Sequence, residues 1–345
     1  MIQRSEKDYR AVQLDSSSSL KEFSLDRKKY HKKYILGEKT DEDDNKASIM
    51  GRVVETLLLE PEKFDERFHL SVCESVPTGL MNDFVEALYK HTALATDEQG
   101  NVTRTFEELS KDAYADSGFK IKYEAVITKF IGSEAETYYN EIRVVRAKGL
   151  TVVGANEVNT AERIVEELRN NFVTSEVVNL TRSSRYDVYN QYQIENFEVC
   201  GVMCKAMMDK IVIDHEQKTV QVYDLKCTWN VENFYEEYYL YRRAYIQAYV
   251  YYKAAVQILT DKNLEGYAAL PPRFIVCDST NYMNPLIYTL SDDDLEDALL
   301  GFKHKKKEYP GVIEIANDLK WAKTMDVWNI SRKRYDLGGV INIKS

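Results

Sequence analysis

Two aspartates and a lysine, Asp209, Asp224 and Lys226, are the residues of this sequence whose types and spacing could perform chemistry. They lie in two runs rich in Val, Ile and Tyr, which are separated by the polar residues 214–218. β-Branched and aromatic residues on either side of a short polar turn are typical of a β-hairpin. The pattern therefore predicts two antiparallel strands that carry these three charged side chains.

The distance of each aspartate from the turn predicts that the two carboxylates face each other. Side chains alternate between the faces of a strand, so Asp224 and Lys226 share one face. With the turn centred between Glu216 and Gln217, Asp209 falls opposite Asp224, where Cβ atoms are about 4.5–5.5 Å apart. Two carboxylates this close on a mostly apolar strand face repel each other, and a divalent cation would relieve that repulsion. The alternative is an ordinary hairpin in which Asp224 and Lys226 form a solvated surface pair.

The residues that follow the hairpin, 231–259, are predicted to form one continuous helix. Four polar side chains recur in it at every fourth position and would form one stripe: Tyr239, Arg243, Gln247 and Tyr251. Phenol, guanidinium and amide groups suit contacts with phosphate and sugar. The alternative is that the tyrosines are ordinary core residues in a chain that has 25 of them.

The order of these motifs resembles that of the PD-(D/E)xK nuclease superfamily: an Asp on one strand, Asp-x-Lys on the next, and Gln-x-x-x-Tyr on the following helix. More narrowly, the chain looks like the branch that includes RecB-type nuclease domains, lambda exonuclease and the RecE-like exonucleases. Residues 51–64, GRVVETLLLEPEKF, are similar to the opening helix of the RecE-like group. The match departs at Met208, where the motif has Pro, and at Glu55, where RecB-type members often have His.

The resemblance implies a metal-dependent exonuclease that hydrolyses phosphodiester bonds in DNA, 5′ to 3′ from double-stranded ends. Glu55, Asp209 and Asp224 would hold Mg²⁺, which Mn²⁺ could replace. The main-chain carbonyl of Leu225 would be a further metal ligand. Lys226 would orient or deprotonate the attacking water, or stabilise the phosphate in the transition state, and the sequence leaves these roles open.

The same resemblance implies which residues hold DNA and which partners the protein has. Gln247 and Tyr251 would position the scissile strand, and Arg243 would help them from its place on the stripe. Ser19 and Arg52 are further candidates for contacts with the DNA end. The implied partners are DNA, a single-strand annealing recombination protein and further copies of the chain in a ring. The implied location is the cytoplasm of a bacterial or phage-infected cell, with no membrane partner.

The resemblance also implies an α/β fold, in which a central mixed β-sheet is flanked by helices and carries helical insertions. One nuclease domain would span 1–345, beginning with an N-terminal arm and entrance helix at 1–49. Residues 65–180 would be a mostly helical insertion, and 186–310 would contain the core sheet and the Gln-x-x-x-Tyr helix. The basic cluster from Arg27 to Lys33 would line the DNA entrance, although a solvated helix face gives the same pattern.

The remaining segments are predicted from their local patterns. Residues 47–59 have helical spacing of apolar residues, with Pro61 ending the helix. The apolar run 273–278 predicts a buried strand. Residues 292–309 are predicted to be a helix with a Lys-rich end, and the segment that contains Trp321 is predicted to be rich in turns.

Composition narrows the class of protein without identifying it. The chain has 345 residues, of which 44% are hydrophobic, which is ordinary for a globular protein. It has no apolar run of the length, about 18 residues, that would predict a membrane span. A net charge of −10 argues against indiscriminate nucleic-acid binding but allows a local basic channel. Five scattered cysteines suggest reduced thiols in a cytosolic protein.

Two other classes of function remain open from the sequence. One is an endonuclease or a single-strand exonuclease built on the same core. The other is a non-catalytic DNA-binding or assembly protein that keeps the fold. The presence of all three carboxylates together with Lys226 argues against the second class, because binding alone does not require them.

Overall fold

The computed structural model describes residues 4–38, 46–280 and 284–340. The chain divides into two compact units, one made of Met1–Leu59 with Arg163–Ser345 and the other of Glu60–Glu162. The helical segment predicted over 65–180 begins inside the second unit and extends past its end.

The strands of the described ranges are, in chain order, β1 Phe68–Leu70, β2 Thr151–Val153, β3 Tyr186–Val199, β4 Val202–Asp214, β5 Thr219–Thr228, β6 Ala268–Ala269, β7 Arg273–Asp278, β8 Leu286–Tyr288, β9 Gly301–His304 and β10 Lys307–Pro310. The α-helices are α1 Glu6–Ala11, α2 Ser17–Leu25, α3 Arg27–Tyr30, α4 Lys46–Leu59, α5 Phe64–Arg67, α6 Gly79–Leu94, α7 Phe106–Asp116, α8 Tyr123–Phe130, α9 Glu134–Ala147, α10 Ala155–Asn170, α11 Ser175–Val178, α12 Ala244–Asp261, α13 Asp292–Leu300, α14 Val312–Met325 and α15 Arg332–Asp336. Two π-helical segments, His31–Ile35 and Tyr235–Tyr241, and the 3₁₀ turn Pro61–Lys63 complete the set.

The first unit contains a mixed sheet with the strand order β3-β4-β5-β7-β8, and the short β6 pairs with β5. β3, β4 and β5 are antiparallel neighbours, β7 runs parallel to β5, and β8 is antiparallel to β7. Helix α12 packs against β3, β4 and β5, and α4 packs against β4 and β5. The predicted fold class, a central mixed sheet flanked by helices, is confirmed.

The predicted hairpin is present, with β4 ending at Asp214 and β5 beginning at Thr219. Its register pairs Ile211 with Val222 and Lys210 with Tyr223. Continuing that register by one residue brings Asp209 opposite Asp224, as the turn position predicted. The register of an antiparallel pair follows from where its turn lies, so the sequence was sufficient to predict it.

The core of the first unit lies between the sheet and α12, which is apolar around most of its circumference. Fully buried side chains of α12 include Tyr245, Ile246, Ala248, Val250 and Ala254. A helix that is apolar on most sides must be enclosed by other elements, and here it packs on β3, β4, β5 and β6 and on the helices α2 and α13. This enclosure fixes the few polar side chains of α12 in place.

The prediction of one continuous helix over 231–259 is wrong. The chain forms the π-helical segment 235–241, and Arg243 then adopts a left-handed conformation with φ of 56° before α12 begins. A left-handed non-glycine residue reverses the local course of the chain, so the helix axis cannot continue through it. Tyr239 and Arg243 therefore lie outside α12, and the predicted four-residue stripe reduces to Gln247 and Tyr251.

The prediction of a helix over 292–309 is wrong in its second half. Helix α13 ends just before Gly301, which has φ of 90°. A Cβ atom there would lie 2.8 Å from the backbone of both Gly311 and Tyr309, so glycine is required. The chain then forms the β9–β10 hairpin through Lys305–Lys306, two residues with positive φ.

The expectation of a turn-rich C-terminal segment is also wrong, because residues 312–325 form helix α14. Ile315, Ala316 and Leu319 of α14 are buried in the core of the first unit. The apolar residues recur at three- and four-residue intervals, and this spacing indicates an amphipathic helix.

The second unit consists mostly of helices, and β1 and β2 form a small parallel pair in it. Its core includes Phe84, Leu88, Phe130 and Ile142, which are fully buried. In neither unit does any described helix combine the length and the apolarity that crossing a membrane requires.

Candidate active site

One cleft of the first unit, with a volume of about 1060 Å³, contains most of the residues singled out from the sequence. The predicted residues that line it are Glu55, Asp209, Asp224, Leu225, Lys226, Gln247 and Tyr251. Helix α4, the hairpin strands β4 and β5, and helix α12 supply them. Residues far apart in the sequence thus meet because these four elements pack together.

Asp224 lies at the centre of this group and is only 2% exposed. Its Oδ1 accepts a hydrogen bond of 2.8 Å from the Gln247 amide. Its Oδ2 contacts the Lys226 ammonium, but no hydrogen bond of ordinary geometry reaches this buried oxygen. A buried carboxylate in such a place requires a positive charge beside it.

Asp209 lies across the hairpin from Asp224, and its Oδ2 accepts a hydrogen bond of 2.7 Å from the Leu225 amide. Burial, followed by the nearby carboxylates of Asp224 and Glu55, raises the pKa of Asp209 well above its usual range. Lys226 and the Leu225 amide act in the opposite direction but do not outweigh these effects. The protonated form of Asp209 is therefore favoured until a further positive charge joins the cluster.

Glu55 joins the group from α4, whose residues Val53 and Val54 are completely buried. Burial of α4 against β4 and β5 carries Glu55 toward the two aspartates. Its Oε1 accepts a hydrogen bond of 2.6 Å from the Gln191 amide. Burial is the main reason why the pKa of Glu55 rises to about 7, and the charge of Asp224 adds to it while Lys226 opposes it.

Lys226 extends from β5 on the same side as Asp224, as the alternation of strand side chains predicted. Burial alone would lower the pKa of Lys226, but the charges of Asp224, Asp209 and Glu55 outweigh it and raise that pKa. Its Nζ also lies 3.5 Å from the carbonyl oxygen of Leu225. The ammonium form is therefore favoured, and it is available to stabilise negative charge in the cleft.

Gln247 and Tyr251 lie one turn apart on α12, and both are almost completely buried. The Gln247 amide donates to Asp224 and, at 3.0 Å, to the Tyr251 hydroxyl. The Tyr251 hydroxyl donates in turn to the carbonyl of Met207 on β4. These contacts hold Asp224 and β4 in position. The role predicted for the two residues, positioning of the scissile DNA strand, stays a prediction.

Two residues that the sequence analysis did not assign to the site make contacts in it. The Lys21 ammonium, on α2, donates to Oε1 of Gln247 at 3.1 Å. Burial, followed by the charge of Lys226, lowers the pKa of Lys21 to about 8. The other residue is Gln191, the hydrogen-bond donor to Glu55. Lys21 is two residues from Ser19, which was a candidate for DNA contacts, so a signal near it was present, whereas nothing local indicated Gln191.

Arg243, Ser19 and Arg52 do not line the cleft. The Arg243 guanidinium donates to the carbonyl of Ser24 at 2.6 Å. Ser19 is 1% exposed, and its hydroxyl belongs to the capping box at the start of α2. Arg52 lies on α4, three residues before Glu55. Their contacts with DNA stay predictions.

Part of the basic cluster of the N-terminal arm lies at the cleft. Lys33, Tyr30 and Tyr34 line it, whereas Arg27 forms an ion pair with Asp318. Lys33 and the rings of Tyr30 and Tyr34 therefore form part of the cleft wall, whereas Arg27 is engaged in an ion pair within the protein.

The carboxylates of the cluster supply suitable donors for a divalent metal but are not arranged as a closed metal site. Within the described ranges, no three Asp, Glu, His or Cys side chains are grouped closely enough to form a metal site as they stand. Asp209, Asp224 and Glu55 nevertheless supply oxygen donors of the type that Mg²⁺ prefers. The buried Oδ2 of Asp224 also lacks a hydrogen bond of ordinary geometry. The donor groups therefore fit Mg²⁺, which would replace the Lys226 ammonium as the partner of Oδ2 of Asp224.

Comparisons with known proteins leave the family of the chain open. No family model matches the sequence, and no curated protein matches it either. Among solved structures, a chain from Eubacterium rectale described as a "putative exonuclease" is 13% identical, with a TM-score of 0.45. The similarity covers 86% of this chain and 82% of that one. A likeness of this degree carries no argument about activity, so the function must be argued from the residues of the cleft.

Proposed function

We propose that this protein is a metal-dependent nuclease that hydrolyses phosphodiester bonds in DNA. The observation that carries the proposal is the meeting of Asp209, Asp224, Glu55 and Lys226 in one cleft. Burying three mutually repelling carboxylates destabilises a fold, and strongly shifted pKa values of this kind are concentrated at functional sites. The order of the motifs, which resembles that of the PD-(D/E)xK nucleases, supports the same conclusion.

The chemistry follows from the donor set. Mg²⁺ held by Asp209, Asp224 and Glu55 would lower the pKa of a bound water and neutralise charge on the phosphate. The carbonyl of Leu225 is a further oxygen donor beside them. The carboxylates also exclude a second anion from the cleft unless positive charge is bound first, so the proposed activity requires the metal.

Lys226 would act on the reacting phosphate. Its ammonium lies against Asp224, at the place where a phosphate oxygen would approach the cluster. A fixed positive charge in a site that excludes water stabilises the negative charge that develops in the transition state. Lys21 adds a second ammonium behind Gln247, and it supports the binding of a polyanion in the same region.

The finer proposal is a 5′-to-3′ exonuclease on double-stranded DNA ends. It is supported by the resemblance of the motifs to the RecE-like group and by the N-terminal segment. Tyr9, Arg10 and residues 12–18 line the cleft, so part of the N-terminal arm that the resemblance assigns to the DNA entrance lies at the site. A single-strand annealing partner, a ring of identical subunits and a cytoplasmic location in a bacterial or phage-infected cell are proposed from the resemblance alone.

The test is digestion of linear and covalently closed duplex DNA with Mg²⁺. We expect the wild-type protein to degrade the linear DNA alone, and Lys226→Ala to degrade neither. Lys303→Ala is a matched control, because Lys303 pairs with Glu308 at 2.9 Å on the exposed β9–β10 hairpin. It should be as active as the wild type.

Each other outcome changes the proposal in a defined way. Cleavage of closed circles would identify an endonuclease, and preference for single strands would identify a single-strand exonuclease. The polarity can be determined with linear duplexes that are labelled at either one 5′ end or one 3′ end, because the label at the end where digestion begins is released first. DNA binding without cleavage, unchanged in Lys226→Ala, would replace the proposal with a non-catalytic DNA-binding protein.

A further inference from the structure

Gln191 has an unusual backbone conformation in the middle of the long strand β3. Asn190 pairs with Lys210 of β4, and Tyr192 pairs with Met208, so Gln191 lies between these pairs at the level of Asp209. Its φ is 48°, in the left-handed region that residues with a Cβ atom rarely occupy. Such a conformation persists only where surrounding contacts require it, and it is concentrated at functional sites.

The contacts of Gln191 and its neighbour show what the conformation achieves. The Asn190 side chain donates to the carbonyl of Leu59 at 2.9 Å, and the Gln191 side chain donates to Glu55 at 2.6 Å. Leu59 and Glu55 lie one turn apart on α4, so they present neighbouring positions of one helix. Successive side chains of a regular strand point to opposite faces of the sheet. The left-handed conformation of Gln191 therefore allows the consecutive side chains of Asn190 and Gln191 to reach the same helix, α4.

Burial gives the contact between Gln191 and Glu55 its strength. Gln191 is 3% exposed, so its amide is largely withdrawn from water. A buried amide that donates to a carboxylate fixes both the position and the rotation of that carboxylate. Gln191 donates to Oε1 of Glu55 and not to Oε2.

We propose that Gln191 is a positioning residue that holds Glu55 in place as a metal ligand of the cleft. This inference rests on the proposed function, because it assumes that Glu55 binds Mg²⁺ or Mn²⁺. Groups that hydrogen-bond to ligating carboxylates orient them, and their loss typically weakens metal binding by about 10–100-fold. The strained backbone at position 191 is then the structural requirement for a correctly oriented ligand.

The experiment is a calorimetric titration of the protein with Mn²⁺ in the absence of DNA, which measures binding and not activity. The variants are Gln191→Gly, which removes the amide and relieves the backbone strain, and Gln191→Leu, which removes the amide at similar size. Gln193→Leu is the matched control, since Gln193 lies on the same strand and donates to the carbonyl of Arg4 at an exposed position. Asp224→Asn is the control for the site itself.

We expect both Gln191 variants to bind Mn²⁺ roughly 10–100-fold more weakly than the wild type, and Gln193→Leu to bind as the wild type does. Gln191→Gly should remain folded at the temperature of the titration, because glycine adopts a positive φ without strain, although loss of the amide leaves the Glu55 carboxylate without its donor and lowers the unfolding temperature. This combination separates positioning from structural support, and the Gly variant decides the result if the Leu variant does not fold.

Two results would overturn the inference, and they differ in what else they overturn. Wild-type affinity in Gln191→Gly, with binding abolished in Asp224→Asn, would show that Gln191 does not position the ligand while the metal site stands. No Mn²⁺ binding by the wild type, or binding unchanged in Asp224→Asn, would remove the metal site of the proposed function and the role of Gln191 with it.

Discussion

Gln247 donates a hydrogen bond of 2.8 Å to Asp224, and the same amide nitrogen donates at 3.0 Å to Tyr251. The carbonyl oxygen of that amide accepts from Lys21. All the polar atoms of the Gln247 side chain are thereby engaged, so its amide can adopt only one orientation. Asp224 is thus held by a residue of α12 as well as by Lys226 of its own strand.

Loss of the Gln247 amide should therefore leave Asp224 incompletely hydrogen-bonded. We expect Gln247→Leu to lower the free energy of unfolding by about 1–3 kcal/mol, because a buried polar atom loses its partner. Cleavage should fall by about tenfold or more, since the carboxylate is no longer fixed. The measurements are urea unfolding and the rate of DNA cleavage.

The control for this variant lies on the same helix. Gln257 donates to Asp261 at 2.8 Å, but this pair is exposed to solvent. Gln257→Leu should change the free energy of unfolding by less than about 0.5 kcal/mol and should not change cleavage. Equal effects of the two substitutions would show that the bond to Asp224 has no special role.

The Tyr251 hydroxyl gives a prediction that separates structural support from DNA contact. It donates to the carbonyl of Met207, so Tyr251→Phe should lower the free energy of unfolding by about 1 kcal/mol. The KM for DNA should not change, because this hydroxyl is engaged with the protein. Tyr252→Phe removes a hydroxyl from the next position of α12 and serves as the control. A raised KM without loss of stability would favour the direct DNA contact inferred from the motif.

The stability of the metal-free protein should depend on pH through the carboxylate cluster. The pKa of Glu55 is raised from 4.5 to about 7, and that of Asp209 is also raised. A raised pKa in the folded state means that the folded protein binds more protons than the unfolded chain between these values. Stability from this source is therefore complete below about pH 4.5 and is lost as the pH rises through about 7.

Asp209→Asn isolates that contribution. The side-chain oxygen of asparagine can still accept from the Leu225 amide, but the substitution removes one of the repelling charges. With a chelator present, unfolding by urea at about pH 5 and about pH 8 should show a smaller loss of stability in the variant than in the wild type. Cleavage should be abolished in the same variant. An identical pH dependence in both proteins would contradict the assignment of the shifts to this cluster.

Lys205 connects β4 to the N-terminal wall of the cleft. It is 8% exposed, and its ammonium donates at 2.7–3.1 Å to the carbonyls of Tyr9, Arg10 and Val12 at the end of α1. We expect Lys205→Met to lower the free energy of unfolding by about 2 kcal/mol and to make residues 4–14 more susceptible to limited proteolysis.

The control for Lys205 is Lys320, whose exposed ammonium donates to the single carbonyl of Cys200 at 3.1 Å. Lys320→Met should change the stability by less than about 0.5 kcal/mol and should leave the proteolysis pattern unchanged. Proteolysis that is equally unaffected by Lys205→Met would mean that other contacts hold α1 in place.

The parts of the site that the sequence predicts are those governed by local rules. The approach of Asp209 to Asp224 follows from strand periodicity and the turn position, and it needs no knowledge of the rest of the fold. The spacing of Gln247 and Tyr251 likewise follows from the helix repeat. In both cases the residues that decide the geometry lie within one hairpin or within one turn of a helix.

The parts that were missed depend on contacts between distant segments or on unusual backbone conformations. No Gly, Asn or Pro marks the left-handed residue Arg243, so its pattern resembles a continuing helix, whereas Gly301 does mark the end of α13. Gln191 reaches Glu55 because the packing of α4 on β4 and β5 brings this helix within hydrogen-bond distance of β3. Local propensity contains no information on that packing, and the role of Gln191 could not be inferred without it.

The first unit is built from two separated parts of the chain, and this has a consequence for how the protein is made. Glu55 leaves the ribosome before the whole of the second unit, Glu60–Glu162, and Asp224 and Gln247 follow only after it. The second unit is continuous in sequence and can fold as soon as it has been synthesised. The carboxylate cluster cannot form until β4, β5 and α12 have been synthesised, and these elements come much later in the chain. We therefore expect a nascent chain to have no complete cluster until α12 has been synthesised, which delays any activity of the cleft until most of the protein exists.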